Sequence, residues 1–323
     1  MEIVLLEDLA VDARQWLAAR HQVDFRPELQ HDPLALRRRL YKTEALVVPP
    51  SLRITSELLD FAPKLAVIGR IYEGADNIDF EACQRRRVRV VQASTATARA
   101  TAEFMLGSLL SLFRPRAYAS TNGASVPPMR PGREINDSVI GLFGLSPPAQ
   151  MLAPMLLAMG ARVVGYEPAL HRSSELWSRL GVQPLAINDM LQTADAVAMQ
   201  IVYVSRYHGL VGERLLSACK PGQLWACASR ASIFELQALA QTLRSGRIAA
   251  LNLDSDDPVL ANPESPLQGL PNLQITARVA PRTQESWLRG SWFLADRLHE
   301  TLQTITRNDA WGGGVVSAPI RQE

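Results

Sequence analysis

Short apolar segments alternate with longer amphipathic segments along most of the chain. Buried strands of parallel sheets read as continuous apolar runs of about four to eight residues, whereas surface helices repeat their apolar positions about every three or four residues. Two series of apolar runs occur, and each series predicts a sheet of its own. The first comprises residues 3–6, 45–48, 65–69 and 88–91, and the second comprises residues 139–143, 162–166, 196–201, 224–228, 249–253 and 274–276.

The segments between these runs predict the division into domains. A helix is expected over residues 98–113, a surface loop over the Ser-, Gly-, Asn- and Pro-rich residues 119–131, and a further helix over residues 285–305. Strands that alternate with helices are typical of α/β proteins with parallel sheets, here one Rossmann-like and one flavodoxin-like. The predicted domains are residues 1–97 plus 291–323, and residues 98–290 inserted between them.

Composition narrows the possible partners. The chain has 323 residues, 47% of them hydrophobic, and a formal net charge of +2. This mild charge is evenly spread, so neither nucleic acid nor a membrane is expected as a partner, and the Arg triplets at 37–39 and 85–87 are interpreted as solvated helix faces. Cys83, Cys219 and Cys227 lack C-x-x-C or metal-ligand spacing. We expect a cytoplasmic protein with no metal and no disulfide framework.

Residues 139–168 have the layout of a dinucleotide-binding unit: strand, glycine turn, helix, and a second strand that ends on an acid. The G-x-G-x-x-G fingerprint of such units lets backbone N–H groups approach the pyrophosphate. Its positions here are Gly144, Leu145, Ser146, Pro147, Pro148 and Ala149. The first glycine is kept, but Ser146 crowds the second position and the prolines remove N–H donors. We expect the fold to survive and the pyrophosphate contact to weaken.

The acid that ends the second strand is Glu167, about 20 residues after the turn. An acid at this place accepts hydrogen bonds from the adenosine ribose and disfavours a 2′-phosphate, so NAD is expected rather than NADP. Arg172 nearby keeps NADP as an alternative, and a solvated acid that opens a loop is the non-functional interpretation of Glu167.

Five phrases occur in a fixed order along the chain and together carry a resemblance. They are GRIYEGADNIDFEAC, with a D-N-x-D signature at Asp76, Asn77 and Asp79; ATAEFMLGSLLSLFR, which contains Ala102 and Glu103; KPGQLWACASRASIFELQAL; AALNLDSDDP; and SPLQGLPNLQITARVAPRT. In this order they resemble the D-isomer-specific 2-hydroxyacid dehydrogenase family over most of the chain. The resemblance implies hydride transfer between NAD and a 2-hydroxy or 2-keto acid, and a homodimer formed through the larger domain.

The resemblance also implies three catalytic positions. An arginine that holds the substrate carboxylate falls on Arg230, a glutamate falls on Asp257 with Asp256 as the alternative, and a proton-transferring histidine falls on Arg278. Arginine stays protonated and cannot act as a general acid or base. None of the five histidines lies at a matching place, and His208 is the nearest by topology. Either Arg278 stabilises a developing alkoxide while water delivers the proton, or Arg278 and Asp257 form an ordinary structural ion pair.

The resemblance also implies substrate-binding and cofactor-binding positions, and only some of them carry the residue type that the family has there. The implied substrate loop contains Tyr72, Glu73 and Gly74. The implied cofactor positions are Gly144, Ser146, Pro148, Ala149 and Glu167, then Ala228 and Ser229 under the nicotinamide ribose, and Asp254 for the carboxamide. Gln200 and Val202 replace a histidine and a proline near the adenosine. Two hypotheses follow: a dehydrogenase of modest rate, or a non-catalytic relative that binds an anion or nucleotide between Arg230 and Arg278 as a regulatory module.

Overall fold

The computed structural model describes residues 1–72, 77–114, 131–203 and 205–310. The chain divides into two compact units, Met1–Ala96 with the segment that begins at Gln284, and Thr97–Thr283. The predicted boundary at residues 290/291 falls inside the C-terminal helix. The predicted loop at 119–131 lies almost wholly outside the described residues.

The described residues form strands and helices in regular alternation. The strands are β1 (Glu2–Leu5), β2 (Gln22–Phe25), β3 (Ala45–Val47), β4 (Val67–Arg70), β5 (Arg89–Gln92), β6 (Val139–Phe143), β7 (Arg162–Tyr166), β8 (Gln183–Pro184), β9 (Ala196–Met199), β10 (Gln223–Cys227), β11 (Ile248–Asp254) and β12 (Leu273–Thr276). The helices are α1 (Val11–Ala18), α2 (Pro33–Leu40), α3 (Ser56–Asp60), α4 (Phe80–Arg85), α5 (Ser94–Phe113), α6 (Pro147–Ala158), α7 (Glu175–Arg179), α8 (Ile187–Thr193), α9 (Glu213–Ser217), α10 (Leu236–Arg244) and α11 (Gln284–Ala310).

The first unit is a five-stranded parallel sheet in the order β2-β1-β3-β4-β5. Successive strand residues alternate between two cores, because side chains along a strand point to opposite faces. Val4 and Leu46 pack with α2 and α3, while Leu5 and Val47 pack with α1 and α11. Helices on both faces explain why these strands read as continuous apolar runs.

The second unit is a seven-stranded parallel sheet in the order β12-β11-β10-β9-β6-β7-β8. The strand order reverses between β6 and β9, which is the topological switch point where open α/β sheets bind ligands. On one face, α5 and α6 cover Leu142 and Ala198; on the other face, α8, α9 and α10 cover Val197 and Trp225. The predicted α/β class with two parallel sheets is confirmed.

Two strands were not predicted from the sequence, β2 and β8. Both lie at the edge of a sheet, and their residues are exposed or half-buried. An edge strand with a solvated face lacks the continuous apolar run on which the prediction depended. Within the described residues, no helix combines the length and hydropathy that a membrane span requires.

Candidate active site

Gly144 forms the bend between β6 and α6 at the switch point. Its φ of +96° lies in the left-handed region, and a Cβ there would approach Ile201 N to 2.7 Å and Gln200 O to 2.8 Å. Its own N–H donates to Tyr166 O at 2.8 Å. Only glycine fits this bend, because a side chain would collide with the backbone that follows β9.

The start of α6 offers few N–H groups to an anion. Pro147 and Pro148 occupy its first turn and carry no N–H. The Leu145 N–H donates to Glu167 Oε2 at 2.8 Å, so it is already engaged. Among the described residues, no partner is found for the N–H groups of Ser146 and Ala149. The N–H groups of Ser146 and Ala149 are therefore the donors that this turn offers to an anion.

Glu167 follows β7, where the sequence predicted the ribose-binding acid. Its Oε2 accepts from Leu145 N, and its Oε1 accepts from Ala169 N at 3.0 Å. A carboxylate has about four acceptor sites, so both oxygens keep capacity for ribose hydroxyls. Arg172 is exposed nearby in sequence. The acid thus braces the turn as well, a role that the sequence did not reveal.

The segment after β10 is tied to the end of β9. Ala228 N donates to Met199 O at 3.0 Å, and Ser229 Oγ donates to Ile201 O at 3.1 Å. Val202 is exposed. These bonds hold the implied nicotinamide-ribose positions at the carboxyl edge of the sheet.

Arg230 and Asp257 lie beside each other on this edge. Arg230 Nη1 is 3.8 Å from Asp257 Oδ1, and the Arg230 Cζ atom is 6.0 Å from the centre of the Tyr203 ring. Asp257 is buried and accepts from Ser232 N at 2.9 Å and Val259 N at 3.3 Å. Burial opposes its ionisation, but the hydrogen bonds from Ser232 and the charge of Arg230 outweigh burial and hold the pKa of Asp257 below its usual value. Asp257 is therefore a carboxylate at neutral pH.

Arg278 lies beside Asp256, the alternative acid of the sequence analysis. Its Nη1 lies 3.5 Å from Asp256 Oδ1, whereas Asp257 lies beside Arg230. Adjacent residues in an extended turn point in different directions, and the backbone bonds that fix Asp257 aim it at Arg230. Arg278 has a φ of 51°, which a residue other than glycine seldom adopts.

Asp254 holds the turn that presents Arg278. It is 4% exposed, and it accepts from Thr276 Oγ1 at 2.6 Å, Val279 N at 2.8 Å and Ala280 N at 2.8 Å. The resemblance implies that Asp254 also accepts a hydrogen bond from a carboxamide. The same two carboxylate oxygens would have to accept that bond in addition to these three. The sequence does not reveal these hydrogen bonds, because they depend on the register between β11 and β12, which pairs Asp254 with Thr276.

Two further residues near these groups were missed. Ser255 Oγ accepts from Ala231 N at 3.2 Å and Asp257 N at 3.3 Å, which links the turns after β10 and β11. Tyr203 brings a phenol ring close to Arg230. No spacing in the sequence joins Tyr203 or Ser255 to Arg230, because the contacts connect different strand ends.

The implied substrate loop belongs to the first unit and is described in part. Glu73, Gly74 and Asp76 lie outside the described residues. Tyr72 is half-buried, Asn77 hydrogen-bonds with Arg70 and with Leu52 O, and Asp79 Oδ1 caps α4 through Ala82 N at 2.8 Å. Asn77 and Asp79 of the D-N-x-D signature therefore have structural contacts.

Glu103 pairs with Arg99 on an exposed face of α5, whereas Ala102 is buried in the core of the second unit. The described residues contain no group of three or more His, Cys, Asp or Glu side chains that could hold a metal ion. Cys83, Cys219 and Cys227 are free and buried, and burial raises the pKa of Cys219 to about 12. None of these thiols is a ready nucleophile.

A family model described as D-isomer specific 2-hydroxyacid dehydrogenase, NAD binding domain, matches residues 104–280. The chain belongs to this family. The match spans the switch point, Arg230 and Arg278, and it confirms the family that the resemblance indicated. The second unit therefore contains the NAD binding domain of this family.

Curated proteins of several organisms are similar to this chain. D-3-phosphoglycerate dehydrogenase of Mycobacterium bovis is 30% identical over 286 residues, which cover 86% of this chain and 53% of that protein. The Archaeoglobus fulgidus enzyme of the same name is 26% identical over 300 residues, 92% of this chain and 56% of that protein. The chain therefore spans about half the length of the curated relatives it matches.

Solved structures agree with the fold. The TT0316 protein of Thermus thermophilus superposes with a TM-score of 0.79 at 26% identity, covering 94% of this chain and 97% of that one. The apo D-mandelate dehydrogenase of Rhodotorula graminis gives a TM-score of 0.79 at 21% identity, covering 93% and 94%. At that lower identity the likeness concerns the fold alone.

Proposed function

We propose that the protein is an NAD-dependent 2-keto acid reductase of low rate, which also runs in reverse as a 2-hydroxyacid dehydrogenase. One observation carries the proposal: two arginine–carboxylate pairs lie at the carboxyl ends of adjacent strands. Arg230 follows β10, Asp256 and Asp257 follow β11, and Arg278 follows β12. This is the edge at which a parallel sheet of this kind binds its ligands.

The residues at the switch point fit a dinucleotide, with a weak contact to the pyrophosphate. Gly144 allows close approach of the backbone, and the N–H groups of Ser146 and Ala149 face no protein acceptor among the described residues. Glu167 keeps acceptor capacity for the adenosine ribose, which favours NAD over NADP. Ala228 and Ser229 would lie under the nicotinamide ribose. When bound, the reduced nicotinamide supplies the hydride.

Arg230 would bind the substrate carboxylate. Its guanidinium presents several N–H donors in a planar fork, which matches a carboxylate in two places. Asp257, ionised and braced by backbone N–H groups, would hold this fork in position. The carbonyl carbon of the keto acid would then receive the hydride, and its oxygen would become negative.

Arg278 would stabilise that negative oxygen without giving it a proton. A fixed cation lowers the energy of a developing oxyanion, but a guanidinium does not release its proton in the physiological range. Water would deliver the proton that completes the 2-hydroxy acid. Because general acid catalysis typically contributes about 10²- to 10⁴-fold, we expect turnover to be slower by that factor than with a histidine.

A second candidate is a non-catalytic relative that binds an anion or a nucleotide as a regulatory module. The observation in its favour is the loss of N–H donors at Pro147 and Pro148. In this candidate function Arg230 and Arg278 bind an anion, and no hydride is transferred. The two candidates differ in whether NADH is consumed.

The experiment is to replace Arg278 by histidine and to follow NADH oxidation with glyoxylate, pyruvate and hydroxypyruvate. Histidine tolerates the left-handed backbone at this position better than most residues. We expect Arg278→His to raise kcat by about 10²- to 10⁴-fold and to make it pH-dependent. The control Arg282→His changes an exposed arginine in the same segment and should leave the rate unchanged. NADH binding without turnover in wild type and variant would favour the regulatory module.

A homodimer through the larger domain completes the proposal. α6 leaves Met151 and Leu157 exposed, and Met159 directly after it is exposed as well, which gives an apolar surface suited to a second copy. Light scattering coupled to size-exclusion chromatography would give the mass in solution. A monomeric mass at micromolar concentration would contradict it.

A further inference from the structure

A cavity of about 240 Å³ lies in the first unit, on the face of its sheet that α2 and α3 cover. Its apolar lining comprises Pro33 and Leu36 of α2, Leu52, and Leu58 of α3. Leu36 is buried, and Leu52 and Leu58 are half-buried. Ligand cavities typically measure about 300–1,000 Å³ and are lined mainly by apolar side chains with a few polar groups. This cavity therefore suits a small molecule with an apolar body.

The uncharged polar side chains that line the cavity are engaged with the protein itself. Gln30 Nε2 donates to Pro27 O at 2.9 Å, and Gln30 Oε1 accepts from Ser51 Oγ at 2.9 Å. Thr55 Oγ1 accepts from Leu58 N at 3.2 Å at the start of α3. These bonds hold the segments around the cavity, so its choice of ligand depends on the charged side chains.

Among the described residues, three charged side chains line the cavity, and two of them neutralise each other. Arg37 Nη2 lies 2.6 Å from Glu57 Oε1, and the Arg37 Cζ atom lies 4.7 Å from the centre of the Phe61 ring. Arg53 is exposed, and within the described part of the chain no acceptor is found for its guanidinium. The cavity thus combines an apolar lining with one uncompensated positive charge. This combination is complementary to an anion on an apolar body and disfavours a cation.

The backbone beside Arg53 is joined to the D-N-x-D segment. Ile54 N donates to Asn77 O at 2.7 Å, and Asp79 N donates to Ile54 O at 2.9 Å. The Asn77 side chain also donates to Leu52 O. Leu52 and Arg53 line the cavity, and the residue next to them holds residues 77–79 in place. A ligand that immobilises Leu52 and Arg53 would therefore restrain the D-N-x-D segment as well.

We propose that this cavity binds a small monocarboxylate with an aliphatic body, and that its occupation stabilises residues 77–79. The aliphatic body packs among Leu36, Leu52 and Leu58, and the carboxylate pairs with Arg53. The cavity is lined by residues of the first unit alone, so binding there does not depend on the proposed function. The consequence that an occupied cavity alters the affinity for a substrate does rest on the proposed function.

The test is hydrogen exchange of the full-length chain, followed by mass spectrometry, with and without hexanoate. We expect hexanoate to slow exchange in residues 51–60, which line the cavity, and in residues 77–83. Hexylamine has the same aliphatic body with the opposite charge and should protect neither segment. In calorimetric titration, Arg53→Gln should weaken hexanoate binding about tenfold, the loss of one charge-assisted hydrogen bond. The control Arg38→Gln changes an exposed arginine of α2 outside the cavity lining and should leave affinity unchanged.

The position of the protected segments separates this inference from the proposed function. Protection confined to the segment after β10, where Arg230 would bind a carboxylate, would overturn the cavity site and leave the proposed function intact. Equal affinity of wild type and Arg53→Gln, or equal protection by hexanoate and hexylamine, would overturn the choice of an anion. Protection of residues 51–60 without residues 77–83 would overturn the link to the D-N-x-D segment. Failure of the protein to bind NADH would overturn the proposed function and leave the cavity site standing.

Discussion

Two turns of the second unit, 144–149 after β6 and 276–280 after β12, show the same kind of change. In the first turn Gly144 keeps its left-handed bend, while Pro147 and Pro148 have removed donors for an anion. In the second turn Asp254 keeps the backbone in place, while Arg278 occupies the position for which the proposed function expects a titratable group. The backbone of both turns is maintained by packing and buried hydrogen bonds, and the proposed function places the changes in the groups that would meet a ligand.

The two changes affect different measurable quantities. In the proposed function, loss of N–H donors at the first turn would weaken the binding of an anionic cofactor, whereas loss of a transferable proton at the second turn would lower the rate of turnover. Binding and catalysis can therefore be restored separately.

The largest expected effect comes from breaking the first turn. Gly144→Ala should destabilise the second unit by about 3 kcal/mol or more, because the new Cβ meets the backbone of Gln200 and Ile201 in a strained conformation. Chemical denaturation measures the loss. The matched control is Gly107→Ala on the exposed face of α5, where a Cβ meets nothing within 4 Å. That change should be neutral or stabilise by up to about 1 kcal/mol, since alanine favours helix.

Substitution of Asp254 should disrupt the second turn. Asp254→Asn turns one carboxylate oxygen into an N–H group that faces the donors of Val279, Ala280 or Thr276. We expect a loss of about 1–3 kcal/mol in the free energy of unfolding. Asp256→Asn, which loses a single half-exposed ion pair with Arg278, should cost under about 1 kcal/mol. Similar losses in both variants would show that Asp254 does not hold the turn.

Restoring donors at the first turn should raise affinity without changing the fold. The double variant Pro147→Ala with Pro148→Ala returns two N–H groups to the start of α6. Each bond to a charged oxygen contributes about 1.5–3 kcal/mol, so NADH affinity should rise at least tenfold. Pro154→Ala, in the exposed interior of the same helix, is the control. It should stabilise α6 and leave the titration unchanged.

The smallest expected effect is on the stability of the folded state at acidic pH. Hydrogen bonds and the Arg230 charge overcome burial to lower the pKa of Asp257, and the Lys220 and Arg133 contacts do the same for Asp195. Lowered carboxyl pKa values stabilise the folded state above the unfolded pKa of about 4, and this stability is lost as the pH falls through the folded pKa. Unfolding measured from pH 3 to pH 7 should show the loss, and Asp257→Asn should reduce it. An unchanged acid profile in that variant would contradict an ionised Asp257.

The sequence was sufficient for the parts of the fold that depend on local pattern. Continuous apolar runs predicted the central strands, and Gly144 marked the bend after β6. β2 and β8 were missed because edge strands carry polar residues. Family resemblance placed Arg230 and Arg278 on the carboxyl edge, but it could not tell which of the adjacent residues Asp256 and Asp257 faces which arginine.

Contacts between distant segments lay beyond the sequence. Asp254 meets Thr276 only through the pairing of β11 with β12, and Tyr203 meets Arg230 only because β9 and β10 are neighbours. Gln200 and Gln223 are both buried, but only the amide of Gln223 has hydrogen-bond partners, and this difference likewise depends on what surrounds each side chain. No pattern in the chain distinguishes these two glutamines.

The most direct test is calorimetric titration of the wild-type protein with NADH, NADPH and their oxidised forms. A dinucleotide domain with two remaining turn donors should bind NADH with a Kd of about 0.1–1 mM, and NADPH more weakly because of Glu167. Absence of binding by every nucleotide at millimolar concentration would contradict a working dinucleotide site. Submicromolar binding would contradict the conclusion that Pro147 and Pro148 weaken the turn.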